Sequence, residues 1–352
     1  MSQKVLMKGN EALSEAALMA GCRHYFGYPI TPQNEIAAYM SKRMPQIGGV
    51  YLQAESEVAA INMVLGASAA GVRTMTTSSS PGVSLKSEGL SYLAGSDLPA
   101  VVANIQRCGP GLGGIRPSQA DYFLATRSAG HGDFHMIVLA PNSIQEIIDL
   151  TYTAYDLADK YRVTSMILAD GMLGQMMEPG ILTDRSSEAS KYEKPWALTT
   201  TKGKRERNII TSLFLEPEEL EMLNLKRFER YAEIEKNEAR HEEYRTDDAE
   251  VVIVAYGISA RVARNAVDAA REKGMKVGLV RPITVWPFPK KPLAKLAETA
   301  KKFITVEMSM GQMIEDVQLA ISCKRPVIPC NRTGGMVPDP ELVLSAIERS
   351  FE

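Results

Sequence analysis

Residues 53–71 read Gln53-Ala-Glu-Ser-Glu-Val-Ala-Ala-Ile-Asn-Met-Val-Leu-Gly-Ala-Ser-Ala-Ala-Gly71. A β-type run, Gly49–Gln53, leads into this stretch, and a helix rich in Ala, Gly and Ser is predicted from Glu57 onward. Such a helix has little side-chain bulk, so other groups can pack close to it. Glu57 lies at the positive end of the helix dipole, where a solvated acid stabilises a helix by ~0.3–1 kcal/mol. The alternative is that Glu57 binds a specific partner.

The segments around this helix predict an α/β fold. Residues 5 to about 180 alternate between strand and helix, which indicates a parallel sheet with both faces covered. Helices are expected to begin at Asn10, near Gln33, near Glu57, near Ser84 and at Ser143, where Ser143–Glu146 forms a capping box. The predicted strands are Tyr25–Gly27, Val50–Gln53, Arg73–Ser78, Ala100–Asn104, Met136–Ala140 and Thr164–Ala169.

The second half of the chain changes character and then returns to an α/β pattern. Residues 181–248 are polar and charged, and we interpret them as a linker in which residues 218–245 form an exposed helix lying across two domains. Residues 249–352 begin with the apolar run Val251–Ala255 and predict a second, smaller α/β domain. The first domain is expected to span residues 1–180.

Composition excludes several classes of protein. The chain has 352 residues, 45% of them hydrophobic, and a net charge of −2, which is typical of a globular protein with no general affinity for nucleic acid. No apolar run reaches the ~20 residues of a membrane span, and the N-terminus lacks a signal peptide, so a cytoplasmic location is expected. The four cysteines form no C-x-x-C pair, so we expect this chain alone to hold no metal ion or iron–sulfur cluster.

Two motifs lie where a predicted strand ends, the edge at which open α/β sheets bind ligands. Gly27–Pro32 reads Gly-Tyr-Pro-Ile-Thr-Pro, a loop made rigid by two prolines. Thr31 in this loop could cap the next helix or contact a ligand. Asp97–Arg107 delivers Arg107 to the same edge. Arginine is a permanently charged, bidentate clamp for carboxylates, although pairing with a nearby acid of the chain is the alternative.

Three further segments carry candidate residues of less definite meaning. Thr76–Gly82 again runs from strand through loop to helix, and its small polar side chains suit an anion or a cofactor. Gly109–Gly114 formally matches G-x-G-x-x-G, but Pro117 follows and no helix opens there, so we reject a dinucleotide site. Arg116 follows this loop, and His131 lies between two glycines, where a structural turn is favoured over a catalytic role.

Together these segments resemble the α subunit of multi-subunit 2-oxoacid:ferredoxin oxidoreductases, which are thiamine-diphosphate enzymes. Tyr-Pro-Ile-Thr-Pro is the signature of that family, and the resemblance covers nearly the whole chain. It implies a pyrimidine-binding domain of thiamine enzymes followed by a domain like the transketolase C-terminal domain. The stretches that carry the resemblance are Val5–Asn10, Gly27–Pro32, Gln53–Ala60, Gly109–Gly114, Asp170–Glu178 and Val306–Met313.

The resemblance also implies roles for individual residues. Glu57 is expected to bond the pyrimidine ring nitrogen of thiamine diphosphate and thereby act in catalysis; Glu55, two residues away, is its rival on a different helix face. The residues that the resemblance places against the 2-oxoacid are Thr31, Ile30 and Arg107. The residues that it places against the cofactor are Glu57, Pro29, Ser79 and Ser80. Arg116 and His131 remain additional candidates.

One motif of thiamine enzymes is missing. They hold the diphosphate and Mg²⁺ with Gly-Asp-Gly and a later Asn, whereas this chain has only Ala169-Asp-Gly171 and no Asn at that distance. We therefore expect a thiamine-diphosphate-binding β subunit to hold the diphosphate and Mg²⁺. The resemblance further implies a γ subunit, a ferredoxin-like subunit with the iron–sulfur clusters, ferredoxin as electron acceptor and coenzyme A as cosubstrate.

The substrate is the least constrained part of this prediction. Overall likeness favours 3-methyl-2-oxobutanoate and other branched-chain oxoacids. The runner-up is 2-oxoglutarate, which needs a second cationic anchor for which Arg116 is the nearby candidate. Two other classes stay open at this point: a non-catalytic scaffold subunit, and a transketolase or synthase that uses thiamine without ferredoxin. The Tyr-Pro-Ile-Thr-Pro signature disfavours the last of these.

Overall fold

A computed structural model describes residues 4–127 and 129–352. The strands of these residues fall into three sheets. The strands are β1 Lys4–Lys8, β2 His24–Gly27, β3 Val50–Gln53, β4 Thr74–Ser78, β5 Ala100–Gln106, β6 Ile137–Leu139, β7 Thr164–Asp170, β8 Met177–Ile181, β9 His241–Tyr244, β10 Val251–Val254, β11 Val277–Pro282, β12 Thr284–Trp286, β13 Lys302–Glu307 and β14 Val327–Asn331.

The helices cover the two larger sheets. Short 3₁₀ turns occur at Pro45–Ile47 and Ser186–Lys191. No helix in the described ranges is both long and apolar enough to cross a membrane. The α-helices are α1 Gly9–Met19, α2 Asn34–Arg43, α3 Glu57–Ala69, α4 Ser80–Leu85, α5 Ser87–Gly95, α6 Tyr122–Thr126, α7 Ile144–Tyr161, α8 Gly171–Gln175, α9 Pro217–Glu238, α10 Gly257–Glu272, α11 Lys290–Leu296, α12 Met313–Ala320 and α13 Pro340–Phe351.

The largest sheet has seven strands in the order β12-β6-β7-β5-β4-β2-β3. Its strands run parallel except for β12, which pairs antiparallel with β6. Every residue of β4, β5 and β7 is buried, as a parallel sheet covered on both faces requires. The carboxyl ends of β2, β4, β5 and β7 therefore meet at one edge, and this edge positions the candidate site.

The second sheet has five strands in the order β14-β13-β10-β11-β9 and is parallel except at β9. Two strands depart from the predicted division of the chain into domains and linker. β9 comes from the predicted linker and pairs with β11. β12 comes from the predicted second domain and completes the first sheet. β12 of the second unit thus joins the first sheet, and the main apolar core contains buried residues of both units.

The charged segment contains one long helix, α9, which ends at Glu238 rather than continuing to residue 245. Tyr231 and Ile234 on one face of α9 are buried in the main core. Tyr231 also packs edge-on against His135 and Trp286, whose rings stack at a centroid distance of 4.6 Å. The helix therefore buries one face near its C-terminal end, whereas Leu220, Met222, Leu225 and Phe228 are exposed. Ala239 and Arg240 lead directly into β9.

Serine side chains cap the starts of α3 and α7, and proline explains the difference at α4. Ser56 and Ser143 accept hydrogen bonds from backbone N–H groups in the first turns of α3 and α7, as serine N-caps do. The helix expected near Ser84 begins earlier, at Ser80, because Pro81 is pre-organised for the first helical turn. The chain then bends at Lys86 into α5.

A buried glutamine ties the two α/β units together. The Gln119 side-chain amide donates to the Tyr256 carbonyl at 2.9 Å, while its Oε1 accepts from Ser259 Oγ at 2.8 Å and from the Met308 N–H at 3.1 Å. The Gln119 N–H also donates to the Met308 carbonyl at 3.0 Å. Because all of these groups are buried, each bond compensates for a desolvated polar atom. The second unit is thus held in a defined position beside the loop that follows β5.

Candidate functional site

Glu57 is the first residue of α3 and is buried, with 6% of its surface exposed. The nearest elements are the loop after β4 and the start of α4. A methyl group added at Gly82 would overlap Ser78 Oγ and lie 2.7 Å from Glu57 Oε1. The carboxylate therefore packs against Gly82, a position with no room for a side chain. Glu55, by contrast, is exposed, so burial distinguishes Glu57 from its rival.

This close approach gives a prediction for Gly82→Ala. The added methyl group has no free space, so we expect it to displace the Glu57 carboxylate and to lower turnover of the assembled enzyme by about tenfold or more, because small displacements of a positioned group are costly. The fold should survive, because the methyl group meets two side chains rather than backbone. Steady-state kinetics and far-UV circular dichroism measure both effects.

Gly66→Ala is the matched control, since a Cβ at Gly66 meets no atom within 4 Å. Its kinetics should equal those of the wild type. Wild-type turnover in Gly82→Ala would show that the Glu57 carboxylate tolerates displacement, contrary to the role assigned to it here.

Three hydroxyl groups on β4 and directly after it are buried without hydrogen-bond partners in the described chain. They belong to Thr76, Ser78 and Ser79, each with no exposed surface. Buried polar groups are nearly always hydrogen-bonded, so ordered water is expected at these hydroxyls. The space beside Gly82 is filled by Ser78 Oγ and the Glu57 carboxylate, so this glycine positions Glu57 rather than admitting a ligand. The carboxylate itself fits the polar ring nitrogen of an aminopyrimidine, such as that of thiamine diphosphate.

Ser80 has a different position from Ser79. Its Oγ donates to Asp121 Oδ2 at 2.5 Å and accepts from the Arg107 N–H at 3.0 Å, so the hydroxyl is fully engaged within the chain. Asp121 also accepts from Asn104 Nδ2 at 2.9 Å, and burial raises the pKa of its carboxyl group. Ser80, Asp121 and Asn104 thus form a buried network that fixes the end of β5 against the start of α4.

The loop 28–33 is held by side chains from several elements. The Pro32 carbonyl accepts from Asn10 Nδ2 at 2.8 Å and from Gln175 Nε2 at 3.1 Å. Gln33 donates to the Tyr28 carbonyl at 3.1 Å and accepts from Thr77 Oγ1 at 2.6 Å. Bonds at both ends make the loop a rigid platform, consistent with its two prolines.

The predicted residues of this loop sit on its outer side. Pro29 is exposed, and Ile30 and Thr31 are partly exposed. Thr31 Oγ1 accepts from Asn34 Nδ2 at 3.2 Å, and no side-chain cap of α2 is formed by Gln33, the residue before that helix. The loop therefore presents Pro29, Ile30 and Thr31 to a molecule outside it.

Arg107 lies one residue beyond β5 and is buried, with 7% of its surface exposed. Its Nη1 donates to the Thr31 carbonyl and its Nη2 to the Leu112 carbonyl, both at 3.1 Å. Within residues 4–127 and 129–352, no carboxylate forms an ion pair with Arg107, and its Nε has no partner. A buried guanidinium without a counter-charge is costly, so the site is prepared for an anion. The structure therefore gives no support to pairing with an acid of the chain.

The other two candidates differ in position. Arg116 lies in the loop after β5, where its carbonyl accepts from the Cys108 N–H at 2.9 Å and the adjacent Pro117 pairs with Arg107. Arg116 is exposed and packs beside the loop after β14, where a Cβ on Gly335 would lie 2.5 Å from Arg116 Cβ. His131 is exposed, and its carbonyl accepts from Ser91 Oγ at 2.8 Å, which ties the turn to α5. The glycine-rich segment 109–114 forms an exposed loop rather than a helix start, and Leu112 and Ile115 project into solvent with 83% and 64% exposure.

Sequence reasoning missed Lys86, which has no exposed surface. Its Nζ donates to the Glu57 carbonyl at 3.3 Å, directly behind the first turn of α3. Burial lowers the pKa of Lys86 to about 8, and the Glu57 charge opposes that shift. Nothing in the sequence marks this lysine, because a single Lys in a short helical region reads as a surface residue. Gly82 was missed as well, although the Ser-Pro-Gly run contained a signal for close packing.

Metal ligands do not converge in the described part of the chain. No group of three or more His, Cys, Asp or Glu side chains there could hold a metal ion. Asp170, in the Ala169-Asp-Gly171 segment, instead caps α8 by accepting from the Met172 and Leu173 N–H groups. Burial raises the pKa of Asp170 to about 6. Its carboxylate is thus occupied by the chain's own backbone.

Comparisons with known proteins agree with this geometry. Residues 15–252 match the family described as pyruvate flavodoxin/ferredoxin oxidoreductase, thiamine diphosphate binding. Residues 249–343 match pyruvate:ferredoxin oxidoreductase core domain II. The chain is similar to the ketoisovalerate oxidoreductase subunit VorB of Methanothermobacter marburgensis, with 54% identity over 94% of this chain and 93% of the relative.

Two further relatives show how widely the likeness extends. The 2-oxoglutarate synthase subunit KorA of Methanocaldococcus jannaschii is 36% identical over 97% of this chain and 98% of its own. The solved 2-oxoglutarate:ferredoxin oxidoreductase from Magnetococcus marinus, with 2-oxoglutarate, coenzyme A and succinyl-CoA bound, superposes with a TM-score of 0.87 at 28% identity. All of this chain is covered, and it spans 66% of that longer chain.

These matches confirm the predicted α/β fold class, since the two family models together cover residues 15–343 and the solved structure superposes over the whole chain. They also confirm the family inferred from the motifs, because relatives above 30% identity cover nearly the full chain. The chain therefore belongs to the 2-oxoacid:ferredoxin oxidoreductase family, as one subunit of an oxidoreductase complex.

Proposed function

We propose that this chain supplies the pyrimidine-binding half of a thiamine-diphosphate site in a CoA-acylating oxidative decarboxylase of 2-oxoacids. The observation that carries the proposal is the buried carboxylate of Glu57 at the start of α3, on the sheet edge that also bears the unpaired guanidinium of Arg107. A buried carboxylate and an unpaired guanidinium on one edge match a cofactor and an anionic substrate held side by side. A vestigial pocket in a scaffold subunit would not need this costly combination.

Thiamine diphosphate, when bound, would supply the carbon nucleophile that attacks the oxoacid carbonyl and would hold the electrons released as carbon dioxide leaves. Glu57 would accept a hydrogen bond from the pyrimidine ring nitrogen and stabilise the protonated ring. Ser79, whose hydroxyl lacks a partner, and Pro29 would line the cofactor. Ser80 would act through the backbone, because its hydroxyl is engaged with Asp121 and Arg107.

Arg107 would bind the substrate carboxylate, with Thr31 beside it. Its guanidinium is oriented by the Thr31 and Leu112 carbonyls, so the charge is fixed before the substrate arrives. Ile30, which is partly exposed on the same loop, would contact the side chain of the oxoacid. Arg107 and Thr31 recognise the group that all 2-oxoacids share, so discrimination between substrates falls to the apolar walls.

Partner subunits would complete the site. A β subunit would hold the diphosphate and Mg²⁺, for which this chain offers no converging ligands in its described ranges. A γ subunit and a ferredoxin-like subunit with iron–sulfur clusters would carry electrons to ferredoxin, and coenzyme A would take the acyl group. The four free cysteines, none of them paired, suit the reducing cytoplasm in which we place the complex.

We favour 3-methyl-2-oxobutanoate and related branched-chain oxoacids as substrates. The supporting observation is the 54% identity with a ketoisovalerate oxidoreductase subunit, against 36% with a 2-oxoglutarate synthase subunit. The runner-up, 2-oxoglutarate, has a second carboxylate that needs a cation. Arg116 is the candidate for it, and this residue is exposed beside the loop after β14.

Reconstitution tests the proposal. The chain is combined with its partner subunits, coenzyme A, thiamine diphosphate and Mg²⁺, and reduction of a one-electron acceptor is followed with each oxoacid. We expect the highest kcat/KM with 3-methyl-2-oxobutanoate. A preference for 2-oxoglutarate would overturn the substrate assignment, and full activity of a complex that lacks this chain would identify it as a scaffold.

A further inference from the structure

Lys86 is one of the largest side chains with less than 2% exposure in the described chain, and it lies in the bend between α4 and α5. Its Nζ makes one hydrogen bond, to the Glu57 carbonyl at 3.3 Å. No carboxylate in the described ranges lies within ion-pair distance of this ammonium group. Lysine is almost never buried without a partner, so the position of Lys86 calls for a physical explanation.

Helix stability does not explain the burial of Lys86. The ammonium group lies at the start of α3, where the helix dipole is already positive, and a cation there is unfavourable. Burial without an ion pair adds a desolvation penalty and lowers the pKa of Lys86 to about 8. Near neutral pH the group is still mainly protonated. The one feature nearby that benefits from this charge is the Glu57 carboxylate, whose interaction with Lys86 favours the ammonium form.

We propose that Lys86 is a positioning residue for Glu57: its buried ammonium group holds the Glu57 carbonyl and stabilises the Glu57 carboxylate from behind. This inference rests on the proposed function, because it assigns Lys86 to the same site. Two of its features are geometric: the hydrogen bond at 3.3 Å to the Glu57 carbonyl, and complete burial in the bend between α4 and α5. Lys86 does not itself touch the cofactor; it acts through Glu57.

A four-variant comparison in the reconstituted complex tests this role. The variants are wild type, Glu57→Gln, Lys86→Met and the double variant. We expect Lys86→Met to lower kcat by about tenfold or more with little change in the KM for the oxoacid, which is the pattern of an interaction that matters in the transition state. In the Glu57→Gln background, Lys86→Met should have no further effect, because the carboxylate that it serves is gone.

Unfolding of the isolated chain in urea provides a readout that does not depend on activity. A purely structural lysine would make Lys86→Met less stable, whereas a lysine retained at a desolvation penalty predicts that Lys86→Met has the same or a higher urea midpoint at pH 7. Lys194→Met is the matched control. Lys194 Nζ pairs with Asp159 Oδ1 at 2.7 Å near the opposite end of β4, so this variant should lower the midpoint and leave kcat unchanged.

The outcomes separate the two claims. Wild-type activity in Glu57→Gln would overturn the proposed function itself. If Glu57→Gln is impaired while Lys86→Met keeps the wild-type kcat, only the role of Lys86 is overturned. The same conclusion follows if Lys86→Met loses stability in step with activity, or if its effect on kcat persists in the double variant.

Discussion

Glu57→Gln should lower the kcat of the reconstituted complex by about 10²–10⁴-fold, the usual effect of losing one positioned acid–base group. Glutamine keeps the size of the side chain, so the packing against Gly82 is preserved while the charge is lost. The buried carboxylate can hold a proton-bearing ring nitrogen, and a neutral amide cannot stabilise it equally. Acceptor reduction at saturating oxoacid and thiamine diphosphate measures the effect.

Glu55→Gln provides the control for this variant, because Glu55 is exposed and only two residues away. Its kcat should stay within about twofold of the wild type, as expected for an exposed acid far from the chemistry. Size-exclusion chromatography must show that both variants assemble. Equal losses of kcat in Glu57→Gln and Glu55→Gln would show that the burial of Glu57 does not give it a catalytic role.

Arg107→Met should produce the second large effect, a fall in kcat/KM of about 10²-fold or more. Truncating one partner of a buried charge pair typically costs about 2–5 kcal/mol, here because the substrate carboxylate would be left without its counter-charge. We expect much of the loss to be seen as a higher KM for the oxoacid. Arg107→Lys should recover only part of it, since an ammonium group cannot form the bidentate contact of a guanidinium.

Arg43→Met is the control for the arginine variants. Arg43 is paired with Glu15 at 2.8 Å on α2 and lies outside the loops that form the site. Its loss should leave both kinetic constants near the wild-type values. An Arg107→Met enzyme whose KM is unchanged for every oxoacid would require another residue to bind the carboxylate.

The fold could be predicted from the sequence where local signals were strong. Ser143–Glu146 contains capping residues, and α7 begins where that cap predicted. The placement of β9 in the second sheet and of β12 in the first was not predictable, because a four-residue strand such as His241–Tyr244 carries no apolar run of its own. Its pairing with β11 depends on tertiary contacts.

The candidate site residues that belong to recognisable sequence motifs could be named from the sequence. Thr31, Glu57 and Arg107 were named from the family resemblance, and the structure places each of them after a strand of the seven-stranded sheet, while their roles stay predictions. The neighbours of Glu57 were not identified, since their role depends on packing rather than on residue type. Lys86 and Gly82 are ordinary residues in the sequence. Their role depends on their contacts with Glu57 at the start of α3, which only the folded structure shows.

A divided cofactor site is the central claim of this account. In the proposed function this chain offers the Glu57 carboxylate to the pyrimidine ring, while a partner subunit holds Mg²⁺ and the diphosphate. Under that proposal, binding energy for the diphosphate comes from the partner. Ligand affinity and subunit association are consequently linked, so each should strengthen the other.

Isothermal titration calorimetry measures this linkage directly. Thiamine diphosphate with Mg²⁺ is titrated into the chain alone, into the β subunit alone and into the two together. The account predicts very weak binding to the chain alone, and Mg²⁺-dependent binding that is tightest when both chains are present and weakens in Glu57→Gln. Tight, Mg²⁺-dependent binding of thiamine diphosphate to the chain without any partner would contradict it.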